Sequence, residues 1–377
     1  MSLILFLLLA AILFSMAVVI GQKKNVIPIV MQLLIAIIAI PILTFLFSNY
    51  GVKISSLVNA NPYVGHFYKF NFAILIGFIL LECVDGKIDK GNIKIAIGSF
   101  MVPFISGLIV AYFYLPSWSL LTGISIALLF SITAVPVLHM LLKSLNYPVI
   151  EIKKLVQVAI MIDLICWVIF SITKDYSAIM NNIYTILLGA LPFAVFYILK
   201  LCKCKIYNNA YVYGLLFFIT IFVLEYCKLN VLVFGILYVM SCYLLKQHIA
   251  VPIKEQLIIN YQKWVAIPFI LTVGMSQINI NTITNNFQYT DLLLLVFPIL
   301  TKVLGNYAGL YWNNHNQDKK QMWNQAILLN TRGLTEIVFL NMLFNFNIIS
   351  EVIYLVIMIM GLISTVFPLF FKHKKEV

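Results

Sequence analysis

The chain has 377 residues, of which 63% are hydrophobic and 10% are charged, with a formal net charge of +12. Soluble domains contain roughly 45–50% apolar and about 25% charged residues. A soluble fold of this length cannot bury so much apolar surface, so lipid must be the solvent for much of the chain. The lysines lie between apolar runs rather than on one polar face, which argues against a nucleic-acid partner.

Apolar runs long enough to cross a bilayer as helices recur along the whole sequence. The first run lacks a basic n-region and a small-residue cleavage site, so we interpret it as a membrane helix and not as a signal peptide. No stretch has the composition of a separate soluble domain, so residues 1–377 are predicted to form one all-α polytopic membrane domain. About thirteen transmembrane helices are predicted, at 3–20, 27–47, 70–84, 93–113, 118–142, 152–173, 181–200, 210–226, 230–245, 264–276, 289–311, 323–345 and 350–371.

The lysines test this order of spans, because short cytoplasmic loops carry an excess of Lys and Arg. With a cytoplasmic C-terminus, 19 of the 25 basic residues fall on the cytoplasmic side and 4 on the other. One wrongly counted span would destroy this alternation. We therefore predict a multi-pass protein of the cell (inner) membrane, embedded in the lipid bilayer, with its N-terminus outside and its C-terminus in the cytoplasm.

Four charged residues remain deep inside apolar runs. Two of them are basic, Lys302 and Arg332, and Arg332 is the only arginine of the chain. The other two are the acids Asp163 and Glu336, whereas Asp291 falls near the end of a span. A charge at the centre of a bilayer costs roughly 2.5–3.5 kcal/mol on insertion scales, so it normally has a partner or a function. Two charges of each sign predict a mutually compensated polar core.

Two apolar runs are interrupted near their middle. Pro136, which removes a backbone donor, ends the stretch Ser131-Ile132-Thr133-Ala134-Val135-Pro136. The second interruption is Asn330-Thr331-Arg332-Gly333. Broken helices in corresponding positions of two halves indicate the binding site of a transporter, because unwound backbone can line a watery cavity there. The breaks occupy equivalent places in two groups of spans, 93–173 and 289–371, which we interpret as the core repeat elements.

These interruptions belong to longer motifs. The first motif runs from Ser131 to Leu138, the second is Asp163 with Trp167 four residues later, and the third runs from Leu329 to Val338. Together they resemble the motifs of monovalent cation:proton antiporters of the CPA2 type, in the sodium/hydrogen exchanger superfamily. The likeness is nearest to the cation/H⁺ exchanger branch and covers about residues 70–371. The sequence around Lys302 also resembles the lysine-bearing helix of that family.

The resemblance implies an inverted-repeat antiporter fold with two broken crossing helices, and secondary active exchange of Na⁺ or K⁺ for H⁺ by alternating access. Asp163 would be the site that holds a proton or the monovalent cation in turn, with Thr133 beside it. Lys302 would be the basic partner in the site. Arg332 and Glu336 would be the polar pair of the second crossing helix. Relatives of this kind would work as homodimers.

The residues alone leave structural roles open for these side chains. Asp163 could be an acid that neutralises a basic side chain, and Lys302 could be a strut between two helices. Arg332 and Glu336, four residues apart, could simply satisfy each other in the apolar interior. An intramembrane carboxylate is nevertheless a functional site by default, and protonation and cation binding exclude each other at one carboxylate. We therefore favour transport for Asp163.

Two positions depart from the family pattern. Ile162 stands where a polar residue usually precedes the aspartate, and His139-Met140 stands where an arginine commonly follows the first break. With one carboxylate removed at this position, fewer protons can be handed over in each cycle, so we predict electroneutral exchange. Two alternatives stay open: a cation channel or uniporter on the same fold, and a non-transporting membrane partner protein. No HExxH metal pair, GxSxG serine or cysteine–histidine arrangement indicates an enzyme, and no cofactor is predicted.

Overall fold

Helices account for the regular structure of the described residues. The computed structural model describes residues 2–23, 28–82, 90–114, 119–174, 197–198, 201, 210–226, 238, 255–278, 288–315 and 317–370. The predicted spans 181–200 and 230–245 lie outside the described residues, apart from 197–198 and 238. The chain forms two compact units, one made of 1–65, 88–163 and 263–377 and the other of 66–87 and 164–262.

The helix bounds follow the predicted apolar runs closely. Three short helical segments are not α-helical: the π-helical turns at Ile35–Ala39 and Gln262–Ala266, and a 3₁₀ turn at Phe367–Phe370. The α-helices are α1 (Ser2–Lys23), α2 (Pro28–Leu34), α3 (Ile40–Asn49), α4 (Ile54–Ala60), α5 (Pro62–Glu82), α6 (Lys90–Tyr114), α7 (Leu120–Ser131), α8 (Val135–Ser144), α9 (Val149–Lys174), α10 (Ala210–Tyr226), α11 (Glu255–Tyr261), α12 (Ile267–Ser276), α13 (Asp291–Asn313), α14 (Lys319–Leu328), α15 (Leu334–Asn345) and α16 (Glu351–Val366).

The outer faces of the long helices are apolar. Within the described residues, four helices have the length and apolar composition needed to cross a membrane: Ser2–Lys23, Val30–Asn49, Gly91–Phe113 and Asp291–Asn313. On α1, the side chains of Leu8, Ile12 and Met16 are all more than half exposed. Exposed aliphatic faces of this length require lipid as their solvent. The predicted class of polytopic helical membrane protein is confirmed, and the number of about thirteen spans stays a prediction.

The predicted break in the run 118–142 separates α7 from α8. The backbone turns extended at Ile132, with φ −62° and ψ 150°, and stays extended at Ala134. Pro136 lies in the first turn of α8, where its missing N–H has no helical partner to lose. In a continuous helix the same proline would clash with the carbonyl of Ile132, four residues earlier. The break therefore avoids a clash that a continuous helix would create at this proline.

The second predicted break separates α14 from α15 and contains no proline. Residues 329–333 leave the helix, and Gly333 precedes α15 in an extended conformation. A Cβ atom on Gly333 would lie 2.6 Å from Val137 Cγ2 and 3.3 Å from Ala134 Cβ. Glycine is needed here because the chain passes so close to the start of α8. Both groups 93–173 and 289–371 thus have the order long helix, broken helix, long helix, and their relation as a repeat stays a prediction.

Glycines also bring α6 and α13 into backbone contact. A Cβ on Gly98 would lie 2.6 Å from Gly309 Cα, and a Cβ on Gly305 would lie 2.9 Å from Gly98 O. In membranes, helices associate through such small residues because close backbone packing replaces the hydrophobic effect as the attraction between them. This contact fixes the helix that carries Lys302 against the first group of helices.

We expect Gly309→Ala to destabilise the protein by about 1–3 kcal/mol, as overpacking usually does. The added Cβ would lie 2.6 Å from Ile95 O and 3.0 Å from Ile95 Cα, and backbone atoms cannot move aside cheaply. The matched control is Gly65→Ala, because Gly65 is also helical but has nothing within 4 Å of its Cβ position. Thermal unfolding in detergent should show a lower midpoint for Gly309→Ala only. Equal midpoints for the two variants would contradict this packing.

The second unit contains its own aromatic and polar contacts. Phe70 of α5 stacks on Phe222 of α10, with ring centroids 5.2 Å apart. Tyr261 donates its hydroxyl hydrogen to Asn71 Oδ1 at 2.8 Å, and burial raises the pKa of that tyrosine above its ordinary value. The broken helices, α7 with α8 and α14 with α15, lie within the first unit.

Candidate ion-binding site

The two helix breaks cross and bond to each other through the backbone. The N–H of Ala134, in the first break, donates to the carbonyl oxygen of Thr331, in the second, at 3.0 Å. The hydroxyl of Thr133 donates to Leu329 O at 3.4 Å. Helix ends leave backbone groups without intrahelical partners, and here each break supplies some of the partners that the other needs. Nearly two hundred residues of chain separate the segments joined in this way.

Asp163 lies at this crossing. Its side chain is fully buried, and its Oδ1 accepts a hydrogen bond from the backbone N–H of Thr133 at 3.3 Å. Thr133 comes just before the N-terminus of α8, where the helix dipole favours a negative charge. The preceding residue, Ile162, is buried as well. The structure thus places Asp163 and Thr133 side by side, and their role in ion binding stays a prediction.

The C-terminal end of α7 is held by the two buried cations. Its last four carbonyls have no partner inside the helix, and all four receive a donor. Leu128 O accepts from the N–H of Ile132 at 3.0 Å. Arg332 donates from Nη1 to Leu129 O and from Nη2 to Phe130 O, the latter at 2.7 Å.

Lys302 supplies the donor for the last of these four carbonyls. Its ammonium donates to Ser131 O, and also to Ser99 O of α6 at 3.2 Å. Both cations are fully buried, and both are placed at the negative end of a helix dipole. Lys302 and Arg332 are therefore brought to the same helix end, although Lys302 lies on α13 and Arg332 in the second break.

Arg332 also forms the predicted ion pair with Glu336. Arg332 Nη1 lies 3.1 Å from Glu336 Oε1, and the pair is buried. Four-residue spacing would place the two on one face of a continuous helix. The helix is not continuous here, because α15 begins at Leu334, after Arg332. The guanidinium instead reaches the carboxylate from the unwound segment, and Thr365 Oγ1 fixes that segment by donating to Arg332 O at 2.6 Å.

A small cavity adjoins Glu336. It measures about 10 Å³, roughly the space of one water molecule, and is lined by Leu33, Gly333, Glu336, Ile337, Met358 and Gly361. A Cβ on Gly361 would lie 2.8 Å from Glu336 Oε2, so this glycine makes room for the carboxylate. The second carboxylate oxygen of Glu336 is therefore close to a space that a water molecule can occupy.

A second polar cluster, which the sequence analysis missed, joins the start of α9 to α14. Glu151 accepts from Gln321 Nε2 at 2.7 Å and from Gln325 Nε2 at 3.2 Å. Gln325 in turn accepts from Gln317 at 3.1 Å. Burial, followed by the charge of Glu151, raises the pKa of Tyr147 to about 12, so its phenol stays protonated. The spacing of Gln321 and Gln325 on one helical face was the available signal.

Other groups of the site carried little sequence signal. Ser99 contributes only its backbone carbonyl to Lys302, and Asn306 donates to Ala326 O at 2.8 Å. Among the residues that the structure describes, no three His, Cys, Asp or Glu side chains gather as a metal cluster. The described site therefore offers one carboxylate at the crossing, hydroxyls and backbone dipoles, which suits a singly charged ion.

The chain is similar to known proteins in sequence and in fold. No family model matches the chain. It is 26% identical over 305 residues to the Na(+)/H(+) antiporter NhaS4 of Synechocystis sp., covering 71% of this chain and 70% of that protein. The solved structure of the sodium proton antiporter MjNhaP1 from Methanocaldococcus jannaschii at pH 8 matches 97% of this chain and 94% of its own, with a TM-score of 0.62 and 18% identity.

The likeness to the solved structure concerns the fold, and the likeness to the curated relative extends over most of both sequences. The narrower assignment to the CPA2 type and its cation/H⁺ exchanger branch stays a prediction. The chain has the polytopic helical fold of a sodium/proton antiporter, and its predicted resemblance to the monovalent cation:proton antiporter family is confirmed.

Proposed function

We propose that this protein is a secondary active transporter that exchanges Na⁺ for H⁺ across a membrane by alternating access. The observation that carries the proposal is Asp163, a fully buried carboxylate at the crossing of two broken helices, bonded to the N–H of Thr133. A charged group in that position is costly unless it serves a purpose. A transporter rather than an enzyme is the function that this site supports.

Exchange follows from the chemistry of one carboxylate. Asp163 binds a proton or a cation but not both, so loading one releases the other. Thr133 supplies a backbone dipole beside the carboxylate, and the N-terminal end of α8 adds to the field there. Opening of the site to alternate sides of the membrane then converts a proton gradient into cation movement.

The remaining predicted site residues have distinct proposed roles. The ammonium of Lys302 bonds to the carbonyl of Ser131, two residues before Thr133. Its positive charge balances the negative charge of Asp163 when no cation is bound. Arg332 and Glu336 hold the second break against the end of α7. We assign Lys302 a direct electrostatic role in the cycle, and the Arg332–Glu336 pair a role in shaping the crossing.

The decisive experiment is reconstitution of the full chain into liposomes with an imposed pH gradient. Na⁺, K⁺ and Li⁺ are added in turn, and the internal pH is followed with a fluorescent dye. We expect an external cation to dissipate the proton gradient at a rate that saturates with cation concentration. No proton response to any of the three cations would contradict the proposal and favour a non-transporting membrane partner protein.

A channel or uniporter on the same fold gives a different result in the same vesicles. It would move the cation down its gradient but would not drive proton movement against a proton gradient when membrane potential is clamped. An exchanger moves protons under that clamp. Steep dependence of the rate on membrane potential would also overturn the prediction of electroneutral exchange.

Three finer statements extend this proposal. We propose K⁺ as a second substrate, a homodimeric assembly, and the orientation with the N-terminus outside and the C-terminus in the cytoplasm of the cell (inner) membrane. The lysine distribution supports the orientation, since 19 of the 25 basic residues then face the cytoplasm. Labelling of single cysteines near each terminus in intact cells tests the orientation, and mass measurement in detergent tests the dimer.

A further inference from the structure

The cation at Asp163 needs more oxygen ligands than the carboxylate provides. Hard monovalent cations replace their hydration shell with several carbonyl, carboxylate or hydroxyl oxygens. The last carbonyls of α7 are already engaged by Ile132, Arg332 and Lys302. Ile162, next to Asp163, is a fully buried aliphatic residue and supplies no ligand. The protein must offer a side-chain oxygen from another segment.

Asn330 lies in the second break at the position that meets this need. The residue before it, Leu329, accepts the hydroxyl of Thr133, and the residue after it, Thr331, accepts the N–H of Ala134. Both neighbours of Asn330 are thus fixed to the segment that also bonds to Asp163. The backbone of Asn330 itself is held by its N–H, which donates to Ile327 O at 3.1 Å.

The side chain of Asn330 has unused capacity to accept. Asn330 is 1% exposed, and its Oδ1 has no hydrogen-bond partner among the described residues. Buried polar atoms are nearly always satisfied, so an amide oxygen left without a donor requires an explanation. An amide oxygen accepts but does not donate, which makes it a suitable ligand for a cation.

We propose that Asn330 Oδ1 is a ligand of the transported monovalent cation, contributed by the second crossing segment and shared with Asp163 of the first group. This inference rests on the proposed function and deepens it, because it names a residue that sets cation affinity and selectivity. Asn330 takes the place of the ligand that Ile162 lacks. Binding of the cation then draws the two breaks together, whereas binding of a proton to Asp163 alone does not involve Asn330.

Four other buried oxygens also have no partner in the part of the chain that the structure describes: Ser99 Oγ, Ser125 Oγ, Asn306 Oδ1 and Thr335 Oγ1. They lie on α6, α7, α13 and in the first turn of α15, and none is in a break. Asn330 alone of the five lies between two bonds that join the crossing segments. The experiment therefore compares Asn330 with Thr335.

The test is the concentration of Na⁺ at half-maximal rate in reconstituted liposomes, together with binding of ²²Na⁺ to the purified full chain. We expect Asn330→Ala to raise the half-saturating concentration by at least about tenfold, as loss of a ligand or its support does in metal sites. Asn330→Asp keeps an oxygen and should retain affinity while changing the order of preference among Na⁺, K⁺ and Li⁺. Ile162→Asn on the Asn330→Ala background should restore part of the lost affinity.

Asn341→Ala is the matched control. Asn341 is equally buried, but its Oδ1 already accepts from Tyr354 at 2.9 Å, so its loss should lower thermal stability and leave Na⁺ affinity unchanged. The proposal is overturned if Asn330→Ala and Asn330→Asp both keep the Na⁺ affinity and cation preference of the unmodified protein. It is also overturned if Thr335→Val, and not Asn330→Ala, raises the half-saturating concentration. If Asn330→Ala does not fold, unchanged cation preference in Asn330→Asp overturns it.

Failure of this inference is distinguishable from failure of the proposed function. If Asp163→Asn is inactive and the Asn330 variants behave like the unmodified protein, Asp163 still serves exchange and only the assignment of Asn330 is wrong. If the unmodified protein shows no cation-driven proton movement, the proposed function fails first. In that case ²²Na⁺ binding that depends on Asn330 would still support a cation ligand at this residue.

Discussion

Asp163→Asn should abolish cation-driven proton movement in liposomes, reducing it to the level of vesicles without protein. Asparagine has nearly the same shape as aspartate and can still accept the N–H of Thr133, so the crossing should remain intact. It cannot take up a proton or present a negative charge, and both steps of exchange are lost. The measurement is dye-reported internal pH after addition of Na⁺, with thermal unfolding in detergent as the check on folding.

Asp291→Asn is the control for this substitution. Asp291 is also buried, at 2% exposure, but it accepts the N–H of Gln288 at 2.8 Å at the start of α13. Its carboxylate bonds to the backbone just before that helix, and the amide oxygen of asparagine can accept the same hydrogen bond. We expect this variant to transport at a rate close to that of the unmodified protein. An Asp163→Asn protein that retained full transport would remove the basis of the proposed function.

Arg332→Ala should be the most destabilising single substitution at the site, by about 3–5 kcal/mol, because it leaves a buried carboxylate without its partner. The same change removes the donors that hold Leu129 O and Phe130 O at the end of α7. Glu336→Ala alone should cost less, since Arg332 keeps both carbonyl partners. The thermal midpoint in detergent, measured for both single variants and the double variant, gives the coupling between the two residues.

The double variant should be less unstable than the two single costs predict, because neither charge is then left unpaired. Lys319→Ala, which removes an exposed lysine at the start of α14, serves as the control and should have almost no effect. Strictly additive costs would show that Arg332 and Glu336 do not interact. If the Arg332→Ala protein is stable yet inactive, Arg332 takes part directly in transport and does not only shape the crossing.

Much of the helical order was predictable from hydrophobicity. The described bounds of α1, α6, α9 and α10 differ by only a few residues from the predicted runs. Helix α5 is the exception, since it begins at Pro62 and the predicted run began at 70. Polar residues such as His66 and Lys69 lowered the apolar content of its first turns without preventing a helix. Helix formation tolerates these residues, whereas a search for apolar runs does not.

The breaks were also visible in the sequence, for different reasons. Pro136 favours a break, and the break lies where its ring excludes a helical carbonyl. Proline does not always break a helix here, since Pro103 and Pro298 lie inside α6 and α13. The prediction of the break at 329–333 depended on Gly333 and three polar residues, which are a weaker signal than a proline. Its extended backbone is held by bonds to the first break, and those partners are far away in the chain.

The sequence by itself determined that this is a helical membrane protein, where two helices break, and that the four charges deep in apolar runs are buried, although Asp291, near the end of a span, is buried too. This was possible because charges and helix breaks are costly in lipid, so the few that occur within apolar runs are easy to recognise. Only the tertiary structure decided what those charges contact. We predicted charges compensating one another, and the Arg332–Glu336 pair does so. Lys302 and Arg332 also bind backbone carbonyls at the end of α7, and Asp163 accepts a backbone N–H. Every residue except proline offers the same backbone groups, so side-chain patterns cannot reveal which ones a charge will bind.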